Sequence, residues 1–172
     1  VTSIPSGHLV VGGATTLGGL APVAGTLLAG DTGAWVARSP FDLGLVRRST
    51  ATRTIHVRTD GSDTTCDGSA SVAAAPGVTA CAVATLQRAI DLAPEVIDHA
   101  IDIAVAAGTY AVSSGTIAQV SKVIRPTATL RVTGTGTVVF DGQDTAAGIV
   151  VGDLGGPFVL SNLVIEDAFG VG

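Results

Sequence analysis

The chain contains stretches in which hydrophobic and polar residues alternate, and the first of them runs from residue 53 to residue 58. In RTIHVR, Ile55 and Val57 fall on one face, while His56 and Arg58 fall on the other. Alternation with a period of two indicates a half-buried β-strand. We interpret His56 as a surface residue rather than a ligand, because no second His or Cys stands nearby at metal-ligand spacing.

A helical spacing occurs in ATLQRAIDLAPEVIDHA, at residues 84–100. Thr85 is a suitable N-cap, since its hydroxyl can accept a hydrogen bond from the first turn. Pro94 should end or kink the helix near Ala93, unless a second turn restarts with the proline in its first position. The predicted helix carries one apolar stripe that we expect to pack as a cap: Leu86, Ala89, Ile90 and Ala93.

Short strands dominate the second half of the sequence. Residues 101–110 return to alternation before a glycine turn, and residues 129–170 repeat one theme, a short strand followed by a turn with Gly or Asp. No long helical pattern separates these strands, which excludes βαβ units. We therefore predict a mainly β fold of stacked coils. The inward positions are predicted to be Ile101, Ile103, Val105, Leu130, Val132, Val138, Phe140, Ile149, Val151, Val159, Leu163 and Ile165.

Residues 1–50 form a separate region, rich in Gly, Ala, Leu and Thr. In GTLLAGDTGAWVARSP, two apolar runs around a turn at residues 30–33 predict an extended or hairpin arm. An isolated hairpin is only marginally stable in water, so this arm needs partner strands from a symmetric neighbour or a larger assembly. A flexible linker is the alternative, but its apolar side chains do not suit a solvated tether. The candidate attachment or oligomer-interface residues are Leu27, Leu28, Trp35 and Phe41.

The composition narrows the possible partners. Hydrophobic residues make up 47% of the 172 residues, whereas aromatic residues make up 3%. Small and β-branched side chains must therefore fill the core, which suits many short stacked strands. The net charge of −5 and the scattered basic residues argue against nucleic acid as a partner. No stretch is apolar over the length of a membrane span, so we expect no membrane insertion.

The two ends of the chain suggest a fragment. It begins at Val1 without a signal segment, and it ends on a strand pattern, SNLVIEDAFGVG, with nothing after it to close a core. We therefore expect the front part of a longer protein. We divide it into an arm at residues 1–50 and a domain at residues 51–172 that continues beyond the chain.

A polar loop that contains both cysteines follows the first strand. Cys66 and Cys81 bracket an excursion rich in Gly, Ala and Ser, which favours a disulfide. Two separately buried thiols, or a metal site with two further ligands, are the alternatives. Asp60, Asp63 and Asp67 are potential Ca²⁺ ligands, but their spacing departs from the calcium-loop signature, and Asx-turns explain them more simply. We predict no metal and no cofactor.

The order of these elements resembles a known family. TIHVRTDGSDTTCDG, then ATLQRAID, then IAVAAGTY resemble the opening of pectate-lyase-like, right-handed parallel β-helix proteins, particularly the tail spikes and tail fibres of bacteriophages. The later VVFDGQ and LSNLVIED are similar to the coil strands that follow in that family. The resemblance covers residues 54–172. It implies the start of a right-handed parallel β-helix whose first coil is capped by the short amphipathic helix.

The same resemblance implies a structural virion protein. Residues 1–50 stand where tail spikes carry the region that attaches a homotrimer to other tail or baseplate proteins. The β-helix would then point toward a host surface polysaccharide or receptor. Its location would be the virion, outside the host cell, where the surroundings are oxidising enough to keep a disulfide.

A polysaccharide depolymerase is the second interpretation, since the fold also hosts lyases and glycoside hydrolases. Such enzymes need paired carboxylates, or a base beside Ca²⁺. The candidates here stand in predicted turns or at a strand end, so we expect catalytic coils downstream and no catalysis by this segment. A bacterial surface adhesin is a third interpretation. The carboxylates concerned are Asp141, Asp144, Asp153, Glu166 and Asp167.

Overall fold

The computed structural model describes residues 46–152 and 154–168, together with the backbone of three short strands nearer the N-terminus. The chain divides into two compact units, Val1–Arg47 and Arg48–Gly172. Among the described residues, the first unit has one sheet and the second unit has three.

The first unit contains a three-stranded sheet of β1 (Val10–Val11), β2 (Leu27–Asp31) and β3 (Ala34–Arg38). Strands β2 and β3 are antiparallel, and Asp31 pairs with Ala34, so the connection is shorter than the predicted turn at residues 30–33. Strand β1 pairs with β2 in parallel, which the sequence did not predict.

The candidate interface residues of the arm fall in or near this sheet. Leu27 and Leu28 belong to β2, and Trp35 belongs to β3. Their side chains, and the whole of Phe41, lie outside the described part of the chain. The role predicted for these four residues therefore stays a prediction.

The described residues of the second unit are mainly β, with one helix. In chain order it consists of β4 (Arg53–Val57), α1 (Leu86–Leu92), β5 (Val96–Ile97), β6 (Ile101–Ala111), β7 (Gly115–Val120), β8 (Val123–Ile124), β9 (Leu130–Asp141), β10 (Ala146–Val151), β11 (Phe158–Ser161) and β12 (Val164–Glu166). All the strand pairings described in this unit are parallel. The prediction of a mainly β fold is confirmed.

These strands form three parallel sheets that the chain visits repeatedly in the same order. The larger sheet has the order β4, β6, β9, β11, with β12 also paired to β9; β7 pairs with β10, and β5 pairs with β8. From β6 the chain runs to β7 and β8, and from β9 it runs to β10 and to Leu154, whose carbonyl accepts a hydrogen bond from Ile124 N–H at 2.7 Å. Each passage of the chain thus lies beside the previous one.

Apolar side chains form columns across the larger sheet. Ile55 pairs with Ile103, Ile103 with Val132, and Val132 with Leu160. The first three are fully buried, because alternation places them on the same face of successive strands. The predicted inward positions of β6 and β9 are confirmed as buried: Ile101, Ile103, Val105, Leu130, Val132, Val138 and Phe140.

The predicted inward positions of the last strands are not all buried. Val151, Val159 and Ile165 are exposed, while Ile149 and Leu163 are half-buried. In the described part of the chain no strand pairs with the outer edge of β11 or β12. Val151 pairs with buried Val120 and Ile165 with buried Phe140, so alternation gave them the correct face, but burial also needs a further layer to pack against. The prediction for Val159 is wrong, because it pairs with exposed Arg131, and Leu160 is the residue on the inward face of β11.

Two predicted glycine turns are wrong. Strand β6 continues through Gly108 with only a register shift between Ala106 and Gly108, and β9 continues through Gly134 and Gly136. At Gly134 a Cβ atom would overlap the carbonyl oxygen of Asn162 in the next turn. Glycine is needed there for close backbone approach rather than for a change of direction.

The helix is shorter than predicted. Thr85 is its N-cap, and its side chain accepts a hydrogen bond from Arg88 N–H, as expected. Ala93 takes extended angles (φ −66°, ψ 143°), which are typical of a residue before proline, so no second helical turn forms. Residues 96–97 instead form β5. The four residues of the apolar stripe, Leu86, Ala89, Ile90 and Ala93, are all buried.

Candidate functional site

The outer edge of β4 is covered by a loop, residues 61–83, which we call the edge cover. His56 N–H donates to Gly68 O at 2.9 Å, Val83 N–H donates to His56 O at 3.0 Å, and Arg58 N–H donates to Val83 O at 2.9 Å. Backbone groups at a sheet edge attract further strands when they are unpaired. The edge cover pairs those of His56 and Arg58 within the same chain.

A disulfide lies at the centre of the edge cover. Cys66 and Cys81 are bonded to each other and are almost fully buried. Each half-cystine stands two residues before a residue that bonds β4, namely Gly68 and Val83. Gly68 N–H also donates to Cys81 O at 2.9 Å. The disulfide therefore joins the two segments that hold the sheet edge.

Close backbone packing makes two glycines of the edge cover essential. A Cβ atom on Gly61 would overlap the carbonyl groups of Ala82 and Val83. Gly68 has a φ of +73°, and a Cβ atom there would stand 2.7 Å from Ile55 Cγ2. Only glycine combines a left-handed backbone with this lack of bulk.

The three aspartates of the polar loop have separate structural tasks. Asp60 accepts two hydrogen bonds from the Arg58 guanidinium, at 2.7 and 2.9 Å, which lower the pKa of its carboxyl. Asp67 accepts from Ser69 Oγ at 2.6 Å and from Ser69 N–H at 2.9 Å, and these bonds lower its pKa as well. The Asx-turn interpretation is correct for Asp67.

Asp63 connects the edge cover to the start of α1. Its carboxylate accepts hydrogen bonds from Ala84 N–H at 2.7 Å, Thr85 N–H at 3.1 Å and Thr85 Oγ–H at 2.6 Å. A negative charge at this position also interacts favourably with the N-terminal end of the helix. The sequence did not predict this contact, because nothing local relates a loop aspartate to a helix that begins more than twenty residues later.

A second polar cluster holds the first residues of the unit against β5. Ser49 N–H donates to Val96 O at 2.9 Å, and Ser49 Oγ accepts from Asp98 N–H at 2.8 Å and His99 N–H at 3.1 Å. Arg48 forms an ion pair with Asp98, and this pair lowers the pKa of the Asp98 carboxyl. His99 Nδ1 lies 3.0 Å from Ser49 O, so this surface histidine has a structural contact.

A shallow cleft of about 230 Å³ lies between α1 and β7. Its polar wall is internally bonded: Gln119 N–H donates to Gln87 Oε1 at 2.6 Å, and Gln87 Nε2 donates to Asp91 at 2.8 Å. Lys122 Nζ donates to Ala93 O at 2.9 Å, next to the helix C-cap. These contacts attach the helix to β7 and to the segment that follows it.

The carboxylates considered for catalysis lie in turns or near strand ends. Asp141 accepts a hydrogen bond from Gln143 N–H at 2.8 Å. Asp144 and Asp167 have left-handed backbones, with φ of 55° and 47°, and Asp144 N–H donates to Asp167 O at 2.7 Å. Glu166 ends β12, and its carbonyl accepts a hydrogen bond from Gly142 N–H. Asp153 lies outside the described residues.

The described residues contain neither a metal-binding cluster nor a membrane-spanning helix. No group of three or more His, Cys, Asp or Glu side chains is placed to hold a metal ion. No helix in this part of the chain has the length and hydrophobicity needed to cross a membrane. The half-cystines are bonded to each other, so neither is a thiolate ligand.

Comparison of the chain with known protein families, with curated proteins and with solved structures finds no match. The site itself is a stack of parallel strands with one edge closed by a disulfide-bonded loop and a helix.

Proposed function

We propose that this chain is the N-terminal part of a structural virion protein, a phage tail spike or tail fibre, and that its second unit begins a right-handed parallel β-helix. In this proposal residues 1–50 attach a homotrimer to other tail proteins. The β-helix projects toward the host surface, where downstream parts bind a receptor or a polysaccharide. The protein acts on the virion as a rigid extension.

The observation that carries the proposal is the succession of parallel pairings. Ile101 pairs with Leu130, and Leu130 pairs with Phe158, so each passage of the chain adds one strand beside the previous one. The other two sheets, β7 with β10 and β5 with β8, follow the same rule. A parallel β-helix is the architecture that extends indefinitely by this rule.

The closed edge at β4 supports the same proposal. A rod of stacked coils exposes backbone groups and an apolar interior at its first coil, so that end requires protection. The edge cover bonds the outer edge of β4, and α1 packs against β4, β6 and β7 with Leu86 and Ile90 buried. Both features serve the start of a rod rather than its middle.

Engineered cysteine pairs test the coil register. Ala104 pairs with Thr133 on the outward face, so an Ala104→Cys/Thr133→Cys variant should form a second disulfide in the folded chain. The matched control, Ala104→Cys/Thr135→Cys, shifts one partner by two residues along the same face and should stay reduced. Mass spectrometry after proteolysis identifies the pairs. Equal cross-linking of both variants would contradict the register.

The oligomeric state of the full chain tests the role of the arm. Sedimentation equilibrium of the oxidised protein should give the mass of three chains. A Leu28→Asp/Trp35→Asp variant should give a smaller mass, because these residues belong to the predicted interface. A matched Val72→Asp/Val78→Asp variant, in the exposed part of the edge cover, should keep the trimer. A monomeric parent chain would contradict the attachment proposal.

A further inference from the structure

The edge cover has an open turn at residues 75–78, which we call the tip. Val78 N–H donates to Ala75 O at 3.1 Å, and Gly77 has a φ of +75°. With Pro76 in the second position, these features are typical of a type II turn. A Cβ atom on Gly77 would meet no heavy atom within 4 Å beyond its chain neighbours. The tip therefore has free space around it.

The four residues of the tip are all exposed, and Val78 is 38% exposed. The hydrogen bond from Val78 to Ala75 is internal to the tip, so the tip can become extended without releasing another segment. Exposed loop tips with small residues are preferred sites of proteolytic cleavage. Strands that follow β12 would add at the other end of the larger sheet from β4, so they would leave the tip accessible.

Val72, the other exposed valine of the edge cover, has a more constrained backbone. It is 49% exposed, but its carbonyl accepts a hydrogen bond from Ala82 N–H at 3.0 Å. Two residues later, Ala74 is half-buried and its N–H donates to Asp60 O at 2.9 Å. Many peptide-binding sites take their peptide as an extended strand through its backbone groups. Side-chain exposure alone favours cleavage after Val72, whereas backbone bonding favours cleavage after Val78.

The segments on the two sides of the Val78–Thr79 bond are held together by contacts that do not depend on this bond. Asp67 N–H donates to Thr79 O at 2.9 Å. The Cys66–Cys81 disulfide joins the same two segments covalently. A cut between Val78 and Thr79 would therefore leave both new ends attached to the unit.

We propose that the tip is a cleavage site for an endopeptidase with a small apolar specificity pocket, and that the disulfide keeps β4 covered after the cut. Val78 fits the pocket that receives the residue before the cut bond. Water adds to the carbonyl carbon of Val78, and the bond to the nitrogen of Thr79 breaks. The products are a carboxylate on Val78 and an ammonium group on Thr79. This inference does not depend on the virion role proposed above.

The cut makes the edge cover sensitive to reduction. The chain has two cysteines, so their disulfide is then the covalent link between the two pieces. A dithiol gives two electrons and two protons to the disulfide, which becomes two thiols, while the dithiol becomes a cyclic disulfide. The Gly68 side of the edge cover, which bonds His56 N–H, should then open.

Pancreatic elastase, which has such a pocket, tests the site in the folded, oxidised full chain. Mass spectrometry measures the cleavage rate at each bond of residues 48–168. We expect cleavage after Val78 to be at least about tenfold faster than cleavage after Val72. Under denaturing conditions the two pieces should stay in one molecule, heavier than the parent by one water, and should separate when dithiothreitol is added.

Hydrogen exchange of the His56 amide reports on the edge cover after the cut. Its protection should be unchanged in the cut, oxidised chain, because Gly68 O still accepts its hydrogen bond. It should fall by about tenfold or more when the cut chain is reduced.

Two matched variants identify the bond. Val78→Asp should slow cleavage at the tip by at least about tenfold, because a carboxylate is costly to bury in an apolar pocket. Val72→Asp, at the more exposed valine of the same loop, should leave the rate at the tip unchanged. Both positions are exposed, so both variants should keep the melting temperature of the parent chain.

Four outcomes would overturn the proposal. An uncut tip would show that it does not open to an endopeptidase. Faster cleavage after Val72 would show that side-chain exposure decides the site instead of backbone bonding. Separation of the pieces without a reductant would show that the disulfide does not bridge the cut. Lost protection at His56 in the cut, oxidised chain would show that the edge cover depends on an intact tip.

Discussion

The β4 end and the β11 end of the larger sheet differ in how far they are covered and in the residues found there. At the β4 end, small residues, a disulfide and a carboxylate hold a polar loop over the backbone edge. At the β11 end, valine, leucine and isoleucine side chains remain exposed on the last described strands. Closing a parallel sheet thus requires particular residues at particular places, whereas extending it requires only the repetition of an apolar alternation.

The largest predicted difference between the two ends concerns a buried charge. Ile90→Asp places a carboxylate on the buried face of α1, at a position that is 1% exposed. We expect this variant to reduce the free energy of unfolding by about 4 kcal/mol. Val164→Asp, on β12 at 50% exposure, should cost less than about 0.5 kcal/mol. Urea denaturation of both variants measures the comparison. Equal losses would show that both ends are equally closed.

The next-largest loss of stability is expected when a single methyl group is added to a glycine of the edge cover. Gly61→Ala creates an overlap with the backbone of Ala82 and Val83 and should cost about 3 kcal/mol, because the backbone has no room to move. Gly152→Ala, which follows β10, meets nothing closer than Val120 O at 3.5 Å and should be nearly neutral. Thermal unfolding of the two alanine variants measures the difference in stability. A Gly61→Ala variant as stable as the parent would mean that the edge cover packs loosely.

A smaller loss of stability is expected when the hydrogen bonds between the edge cover and the helix are removed. Asp63→Ala removes three hydrogen bonds to a carboxylate and should reduce the free energy of unfolding by about 2 kcal/mol. Asp141→Ala, which removes one turn hydrogen bond at the end of β9, should cost about 0.5 kcal/mol. Chemical denaturation provides both values. The prediction fails if the two losses are the same.

Lowering the pH should cause the smallest loss of stability, and it should act through aspartates at the β4 end. The pKa values of Asp60 and Asp67 are lowered from their usual 3.8, so the folded state favours the charged forms. Their contribution is complete above pH 3.8 and is lost as the pH falls below it through the lowered pKa values. An Asp60→Asn/Asp67→Asn variant should show a shallower loss of stability in this range when urea midpoints are measured against pH. An unchanged slope would contradict this assignment.

Local patterns in the sequence predicted the features that depend on local chemistry. The alternation around Ile55 and Ile103 gave the buried faces, and Thr85 gave the start of the helix, because a strand face and an N-cap are each determined within a few residues. The stop after Leu92 was also correctly placed at Pro94, although the residues beyond it formed β5 instead of more helix.

Features that depend on distant contacts were missed. Gly134 indicates a turn in the sequence, but its neighbour in space is Asn162 on the following passage of the chain. Asp63 indicates an Asx-turn, but its partners are Ala84 and Thr85. The sequence identified the two half-cystines of the candidate site, whereas the bonding of Gly68 and Val83 to β4 follows from tertiary packing alone.

The placement of the edge cover has a consequence for the order of folding. Its contacts with residues from His56 to Thr85 close shorter loops than the pairing of β4 with β6, so they cost somewhat less chain entropy. The edge cover can therefore form first, and β4 then presents only its inner edge to the strands that emerge later. Strands would then add to β4 in the direction from the N-terminus toward the C-terminus, which is also the direction of synthesis.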